Sequence, residues 1–96
     1  MKYLVYIIYS ASLDRFYIGY TGEEMDVRLK KHNSNHKGFT GRNADWIVKY
    51  TEVFETKYDV MKREKEIKGW KSRLKIQRLI STGIEQSRLQ SGRFQV

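Results

Sequence analysis

The sequence contains no cysteine and no proline among its 96 residues. Without cysteine the chain has no disulfide partner and no thiolate ligand for zinc, and cytoplasmic residence is the default expectation. No apolar run approaches the ~20 residues that a membrane-spanning helix needs, so we expect no membrane partner. The apolar segment Leu4–Tyr9 is too short for a secretion signal and leads into polar residues. We therefore expect one small domain that is stabilised by its own hydrophobic core.

Positive charge is plentiful and concentrated in one stretch. The formal net charge is +8 and the isoelectric point is about 9.8. Residues 57–78 hold nine Lys or Arg against three acidic residues, which is +6 of that charge. This concentration predicts a polyanionic partner, and nucleic acid fits better than a membrane because the stretch lacks a wide apolar face. A solvated helical face is the alternative. The predicted nucleic-acid contacts are Lys62, Arg63, Lys65, Lys68, Lys71 and Lys75.

Three strands are predicted from residue type and alternation. Tyr3–Tyr9 and Phe16–Tyr20 are rich in aromatic and β-branched residues, and the polar segment Ser10–Arg15 joins them as a β-hairpin. Trp46–Phe54 alternates apolar and polar residues and predicts a third strand. Between the hairpin and this strand, Asn33–Asp45 has the composition of a long loop.

A first helix is predicted between the hairpin and that loop. Thr21 and Glu24 have the spacing of a capping box, which predicts a helix start at Thr21 and an end near Asn33. One stripe of this helix, with the periodicity of a helical face, carries Met25, Arg28, Leu29 and His32.

Two further helices are predicted over Thr56–Lys71 and Arg73–Ser81. Gly69 marks the break between them, and Ser72 is predicted to cap the second helix. The predicted buried set of the second helix is Leu74, Ile76, Leu79 and Ile80. The expected fold class is therefore α+β. Residues 1–81 form the predicted domain, and the polar residues 82–96 form a flexible C-terminal tail.

Glu64 lies inside the apolar stripe of the helix predicted over Thr56–Lys71, beside Val60 and Ile67. A carboxylate on a packing face costs free energy unless a cation, a metal or a hydrogen-bond donor meets it. Two interpretations stay open: an ion pair with a partner such as Arg28, and a metal ligand or general base.

The same chain offers the groups that phosphodiester hydrolysis requires. A nuclease needs a base that activates water, a cation on the scissile phosphate and usually Mg²⁺ held by carboxylate oxygen. Residues of these types are Tyr6, Tyr17, Arg28, His32 and Glu64. His32 and His36 have the spacing of a metal pair, but no third ligand lies near them, so a zinc site is disfavoured. Trp46 and Trp70 are predicted as core residues rather than as platforms for nucleobases.

Four short motifs occur in a fixed order: Val5-Tyr6-Ile7, Tyr17-Ile18-Gly19, Arg28 with His32, and Arg63-Glu64. In these motifs the sequence resembles the GIY-YIG endonuclease superfamily. It is most similar to the small stand-alone bacterial branch and more distantly similar to the N-terminal nuclease domain of the repair protein UvrC. The resemblance covers about Lys2–Ile80. It implies a small three-stranded antiparallel sheet flanked by about three helices.

The resemblance also implies an activity and roles for its residues. The activity is a divalent-metal-dependent DNA endonuclease in repair or recombination, with a single Mg²⁺ or Mn²⁺ ion and with branched or damaged DNA as a possible substrate. Tyr6 would act as, or assist, the general base, with His32 as the rival for that role. Tyr17 would position water or phosphate, Arg28 would stabilise the phosphate, and Glu64 would ligate the metal.

Two departures and two rival functions accompany this resemblance. Val5 replaces the glycine of the first motif, and the later asparagine of the family has no clear match. A nucleic-acid-binding module that keeps the fold but not the activity is the alternative, and a domain that binds an acidic protein is a third interpretation. Gly19 is interpreted as leaving room for a phosphate or for the base beside it, and Tyr20 as a structural residue. Substrate preference, oligomeric state and pathway are left open.

Overall fold

The computed structural model describes residues 2–34 and 45–92, and over 84–92 it describes the backbone alone. The described chain forms three strands and three helices. In chain order they are β1 (Tyr3–Ser10), β2 (Arg15–Thr21), α1 (Met25–Asn33), β3 (Trp46–Phe54), α2 (Lys57–Trp70) and α3 (Arg73–Gly92).

The strands form one antiparallel sheet with β1 at its centre, in the order β2-β1-β3. Tyr6 of β1 lies opposite Gly19 on one side and Thr51 on the other. The pairing of β1 with β3 shifts register between Ile7 and Ile8, which marks a β-bulge. The predicted α+β fold with a three-stranded antiparallel sheet is therefore confirmed.

Alternation along β1 divides the hydrophobic core into two clusters, one on each face of the sheet. Val5 and Ile7 pack with buried residues of α2 and α3. Tyr6 and Ile8 pack with Trp46 on the opposite face, where α1 covers them. Helices thus cover both faces, and the central strand carries a tyrosine into the interior.

The predicted capping box of α1 is wrong. Thr21 ends β2, where it pairs with Leu4, and α1 begins only at Met25 with Glu24 as its N-cap. The Thr21 hydroxyl instead accepts a hydrogen bond of 2.9 Å from the backbone N–H of Glu23, which is a local turn. Strand pairing holds the threonine in the sheet, so the helix starts one turn later than the spacing predicts.

The predicted span Thr56–Lys71 and the predicted start at Arg73 agree with α2 and α3, but Gly69 does not mark the break between them. Gly69 lies inside α2, and the break falls at Lys71, whose backbone is left-handed with φ 49° and ψ 40°. Thr56 caps α2 by accepting from the N–H of Asp59 at 3.1 Å. Ser72 caps α3 as predicted, because its hydroxyl accepts from the N–H of Lys75 at 3.2 Å.

One member of the predicted buried set of α3 is wrong. Ile76 and Ile80 are buried and Leu79 is partly buried, but Leu74 is 55% exposed. Successive helical residues are rotated by about 100°, so Leu74 is about 200° from Ile76 and points away from the sheet. The helix also passes its predicted end at Ser81 and reaches Gly92. The flexibility of the tail stays a prediction, and residues 93–96 lie outside the described part.

The two tryptophans are core residues, as predicted. Trp46 is 1% exposed at the start of β3, and Trp70 packs against the cluster shared with α2 and α3. None of the helices in the described ranges is both long and apolar enough to cross a membrane.

Candidate active site

Tyr6 is the buried centre of the candidate site. It is 0% exposed in the middle of β1, and its ring crosses the backbone of Gly19 on β2. A Cβ added to Gly19 would lie 2.6 Å from the Tyr6 hydroxyl oxygen and 2.7 Å from Cζ. Any larger residue at position 19 would therefore displace the phenol. Of the two occupants considered for the space beside Gly19, a phosphate or the base, the phenol of Tyr6 is the one that fills it.

The Tyr6 hydroxyl meets two side chains of α1. It shares a hydrogen bond of 2.6 Å with His32 Nε2, and Arg28 Nε donates to it at 3.3 Å. Arg28 and His32 are one turn apart, so both reach the same oxygen from one helical face. His32 is 6% exposed. The predicted stripe on α1 thus brings a base and a cation to a single phenol.

Burial raises the pKa of the Tyr6 hydroxyl, and the hydrogen bond from Arg28 opposes that shift without cancelling it. The same hydrogen bond raises the pKa of Arg28. At neutral pH the phenol is therefore protonated and the guanidinium is charged. In one tautomer of the imidazole the phenol donates to His32 Nε2, and in the other His32 Nε2 donates to the phenol oxygen.

Tyr17 joins this group through its ring. It lies opposite Ile8 in the β1–β2 pairing, and its ring centroid is 5.1 Å from that of His32 and 6.4 Å from that of Trp46. Tyr17 also lines the cleft described below. The imidazole is therefore held between the two motif tyrosines.

Glu64 reaches the same cleft from α2. Its side chain is only 14% exposed, and its carboxylate forms an ion pair of 3.0 Å with Lys68 one turn along the helix. The ion pair considered between Glu64 and Arg28 does not form, since Arg28 pairs with Glu23 at 3.8 Å. Glu64 is thus a half-enclosed carboxylate with a nearby lysine as counter-ion.

The cleft occupies about 390 Å³ between the hairpin, α1 and α2. Four of the five predicted catalytic residues line it: Tyr6, Tyr17, Arg28 and Glu64. His32 lies one hydrogen bond behind, on the Tyr6 hydroxyl. Tyr20, predicted as structural, also packs against the core while touching the cleft wall.

Glu23 is a cleft residue that the sequence did not indicate. It lines the cleft and holds two cations of α1, with 3.8 Å to Arg28 and 2.7 Å to Lys31. The signal in the sequence was Thr21, a residue type whose hydroxyl favours a local turn, and here it accepts from the N–H of Glu23. Beyond this turn Glu23 reaches Arg28 in the middle of α1 and Lys31 in its last turn.

The described residues contain no group of three or more His, Asp or Glu that could hold a metal by themselves. Mg²⁺ does not require such a group, because it is commonly held by one or two carboxylates together with substrate phosphates and water. Glu64, which opens into a polar cleft, has the donor chemistry for that arrangement. Of the disfavoured zinc pair His32 and His36, His36 lies outside the described residues.

The six predicted nucleic-acid contacts do not share one environment. Arg63 is occupied within the fold, because it donates to Glu52 at 2.9 Å and to Glu66 at 3.0 Å and lies 5.7 Å from the centre of the Trp70 ring. Lys75 also lies over Trp70, at 6.0 Å. The exposed members are Lys62, Lys65, Lys68, Lys71 and Lys75.

Comparisons with known proteins agree with this geometry. A family model described as the GIY-YIG catalytic domain matches residues 2–78. A UPF0213 protein of Staphylococcus saprophyticus is 35% identical over 83 residues, which cover 85% of this chain and 98% of the relative. The NMR solution structure of a UPF0213 protein from Bacillus halodurans has a TM-score of 0.54 at 30% identity, and the match covers 85% of each chain. The range matched by the family model contains all five predicted catalytic residues.

Proposed function

This chain belongs to the GIY-YIG family, and from that membership we propose that it is a divalent-metal-dependent endonuclease that hydrolyses DNA phosphodiester bonds. The family supports a nuclease-type function and a nucleic-acid substrate. The observation that carries the proposal is the cleft in which a phenol, a guanidinium and a carboxylate face one space of about 390 Å³.

Tyr6 and His32 act as a pair in the proposed reaction. A protonated phenol accepts a proton from water only if its own proton has somewhere to go, and the raised pKa of Tyr6 keeps it protonated at neutral pH. His32 Nε2, at 2.6 Å, receives that proton. We therefore assign the role of base to the pair: Tyr6 lines the cleft, and His32, as the tautomer with an unprotonated Nε2, accepts the phenol proton.

Arg28 and Tyr17 complete the polar wall. Arg28 Nε stabilises the phenolate that forms on Tyr6, and its guanidinium, which also pairs with Glu23 at 3.8 Å, lines the cleft in which the scissile phosphate would lie. Tyr17 lines the cleft beside Tyr6 and orients the phosphate or the attacking water.

Glu64 is the residue that would hold the metal. A bound Mg²⁺ or Mn²⁺ supplies a Lewis acid for the phosphoryl oxygens and lowers the pKa of water. Lys68 pairs with the Glu64 carboxylate at 3.0 Å, and with a metal on that carboxylate its ammonium group would be available to a nearby phosphate. A role in DNA repair or recombination, and cytoplasmic residence, belong to this proposal as predictions.

The Glu64–Lys68 ion pair also favours a second candidate function. A carboxylate that already has a cation at 3.0 Å has less need of a metal. In that case the chain is a nucleic-acid-binding module that keeps the family fold and binds through its basic surface.

Cleavage assays distinguish the two functions. The purified protein is incubated with labelled linear, nicked, flap and four-way DNA in Mg²⁺, in Mn²⁺ and in EDTA. We expect products only with metal, and we expect Glu64→Gln to abolish them while DNA binding persists. Glu66→Gln is the matched control, because it lies on the same helix, is exposed and faces away from the cleft.

One result decides against the enzyme, and another decides against the role of Glu64. Binding without cleavage in any metal supports the module instead. Cleavage that survives Glu64→Gln at the wild-type rate removes Glu64 from the reaction and with it the proposed metal site.

A further inference from the structure

Helix α2 has two unlike edges on either side of its buried stripe. Val60 and Ile67 point into the core, and each residue along the helix turns by about 100°. The edge that continues from Glu64 carries, in order around the helix, Lys57, Lys68, Met61, Lys65, Tyr58 and Lys62. The edge on the other side carries Arg63, Trp70, Asp59 and Glu66.

Charge separates these two edges. On the first edge Lys62 and Lys65 are exposed, and no acidic residue accompanies them other than Glu64, whose partner is Lys68. On the second edge the two acids outnumber the one arginine, which is itself bound to Glu52 and Glu66. A phosphate chain that enters the cleft at Glu64 is therefore drawn along the first edge.

Tyr58 stands in the middle of that positive edge with 74% of its surface exposed. The other six tyrosines of the chain are all buried or partly buried. With Met61, Lys62 and Lys65 it forms a shallow groove of about 290 Å³. An exposed aromatic ring between two lysines combines a stacking surface with phosphate contacts, which is the pattern of proteins that bind single-stranded nucleic acid.

We propose that Tyr58 stacks on an unpaired nucleobase while Lys62 and Lys65 contact the phosphates beside it. Tyr58 precedes Glu64 by six residues, which is about 9 Å along the helix axis and about 120° around it. At about 3.4 Å for each nucleotide of a stacked strand, the axial distance alone corresponds to roughly three nucleotides, so the stacked base lies at least that far from the cleft. The inference rests on the proposed function and specifies its substrate: DNA with a single-stranded segment next to the site of cleavage.

Nucleic acid fits this groove better than a protein partner does. A protein interface needs a broad apolar centre, whereas the groove offers one aromatic ring and one methionine between two cations. A nucleobase needs only the face of the ring, and its backbone supplies the negative charges.

Equilibrium binding in EDTA tests the inference apart from catalysis. The probes are a blunt duplex and the same duplex with a short single-stranded extension that contains 2-aminopurine, whose fluorescence is quenched by stacking. We expect Tyr58→Ala to weaken binding of the extended duplex about tenfold and to abolish the quenching. The blunt duplex is expected to bind as before. Tyr58→Phe keeps the ring face and should behave as wild type.

Leu74→Ala is the matched control, because Leu74 is also exposed and apolar but lies on α3, outside the groove. The inference is overturned if Tyr58→Ala changes neither probe, or if it weakens both probes equally. Either result leaves the proposed nuclease standing, since metal-dependent cleavage and its loss in Glu64→Gln are measured separately. Failure of the wild-type protein to bind any DNA overturns both.

Discussion

The described part of the fold contains two groups made of the same three residue types, and only one of them lines the cleft described above. On β3, the Tyr50 hydroxyl donates to Glu52 at 2.7 Å, and Arg63 closes on the same carboxylate at 2.9 Å. This is a closed network, in which the tyrosine, the glutamate and the arginine satisfy one another. It has no obvious use beyond joining β3 to α2.

The group around Tyr6 is open. Arg28 donates to the phenol, but the third member, Glu64, lies across the cleft and pairs with Lys68 instead. Both tyrosines press against a glycine, since a Cβ at Gly19 or Gly83 would lie 2.6 Å from a tyrosine atom. Both groups therefore share a close contact between a tyrosine and a glycine, and they differ in the position of the carboxylate. Separating the carboxylate from the phenol leaves room between them for a phosphate.

The largest effect on cleavage is expected when the hydroxyl of each of these two tyrosines is removed in turn. Tyr6→Phe is expected to lower the cleavage rate at least about a hundredfold, because the proton path through His32 is lost. Tyr50→Phe is expected to leave the rate unchanged, because its network does not touch the cleft. Single-turnover cleavage with saturating protein measures both. Equal losses in the two variants would mean that the closed network also serves the reaction.

Folding must be checked in the same variants. Tyr6→Phe removes the buried phenol oxygen that both Arg28 and His32 contact and is expected to cost about 1–3 kcal/mol of unfolding free energy. The rates are therefore compared at a temperature where circular dichroism shows both variants fully folded.

Replacing each of the two glycines with alanine is expected to have a smaller effect than removing the tyrosine hydroxyls. Gly19→Ala forces the fully buried Tyr6 ring to move and is expected to cost about 1–3 kcal/mol, together with a loss of cleavage. Gly83→Ala meets the ring of Tyr50, which is only partly buried, and alanine favours a helix by about 1 kcal/mol over glycine. We therefore expect a much smaller stability change at Gly83 and unchanged cleavage. Urea unfolding measures the stability change of each variant. A Gly19→Ala protein with wild-type activity would show that the exact placement of the phenol does not matter.

Much of the open group was predictable from the sequence because its spacing is local. Arg28 and His32 share a helical face four residues apart, and a glycine within a strand indicated the close approach that Tyr6 makes to Gly19. Glu64 was singled out by its place on a packing stripe, and its side chain is 14% exposed in the cleft. Their functional roles stay predictions.

The closed network was not predictable in this way. Arg63 was predicted to bind nucleic acid, yet it reaches back to Glu52, eleven residues earlier on another element. Helical periodicity places Arg63 on a face but does not reveal which strand passes beneath it. Lys68, by contrast, lies four residues after Glu64, and that spacing alone would have indicated the ion pair.

The smallest expected effect concerns alkaline pH. Burial, reinforced by the hydrogen bond to Glu52, raises the pKa of Tyr50 to about 12 from an ordinary value of 10.0. Folding therefore favours the protonated phenol, and the resulting stability is complete below about pH 10 and is lost as the pH rises towards 12. The pKa of Tyr6 is also raised, but Arg28 opposes that shift where Glu52 reinforces the shift of Tyr50.

Urea unfolding between about pH 8 and pH 12 separates the two tyrosines through their Phe variants. The wild-type protein is expected to lose stability above pH 10 more steeply than Tyr50→Phe, and Tyr6→Phe is expected to fall between them. The difference from wild type isolates each hydroxyl, since the other groups that titrate at high pH are common to all three proteins. Parallel curves for wild type and Tyr50→Phe would mean that Tyr50 ionises at its ordinary pKa in the folded protein. In that case the carboxylate of Glu52 does not raise the pKa of Tyr50, and the closed and open groups do not differ in this property.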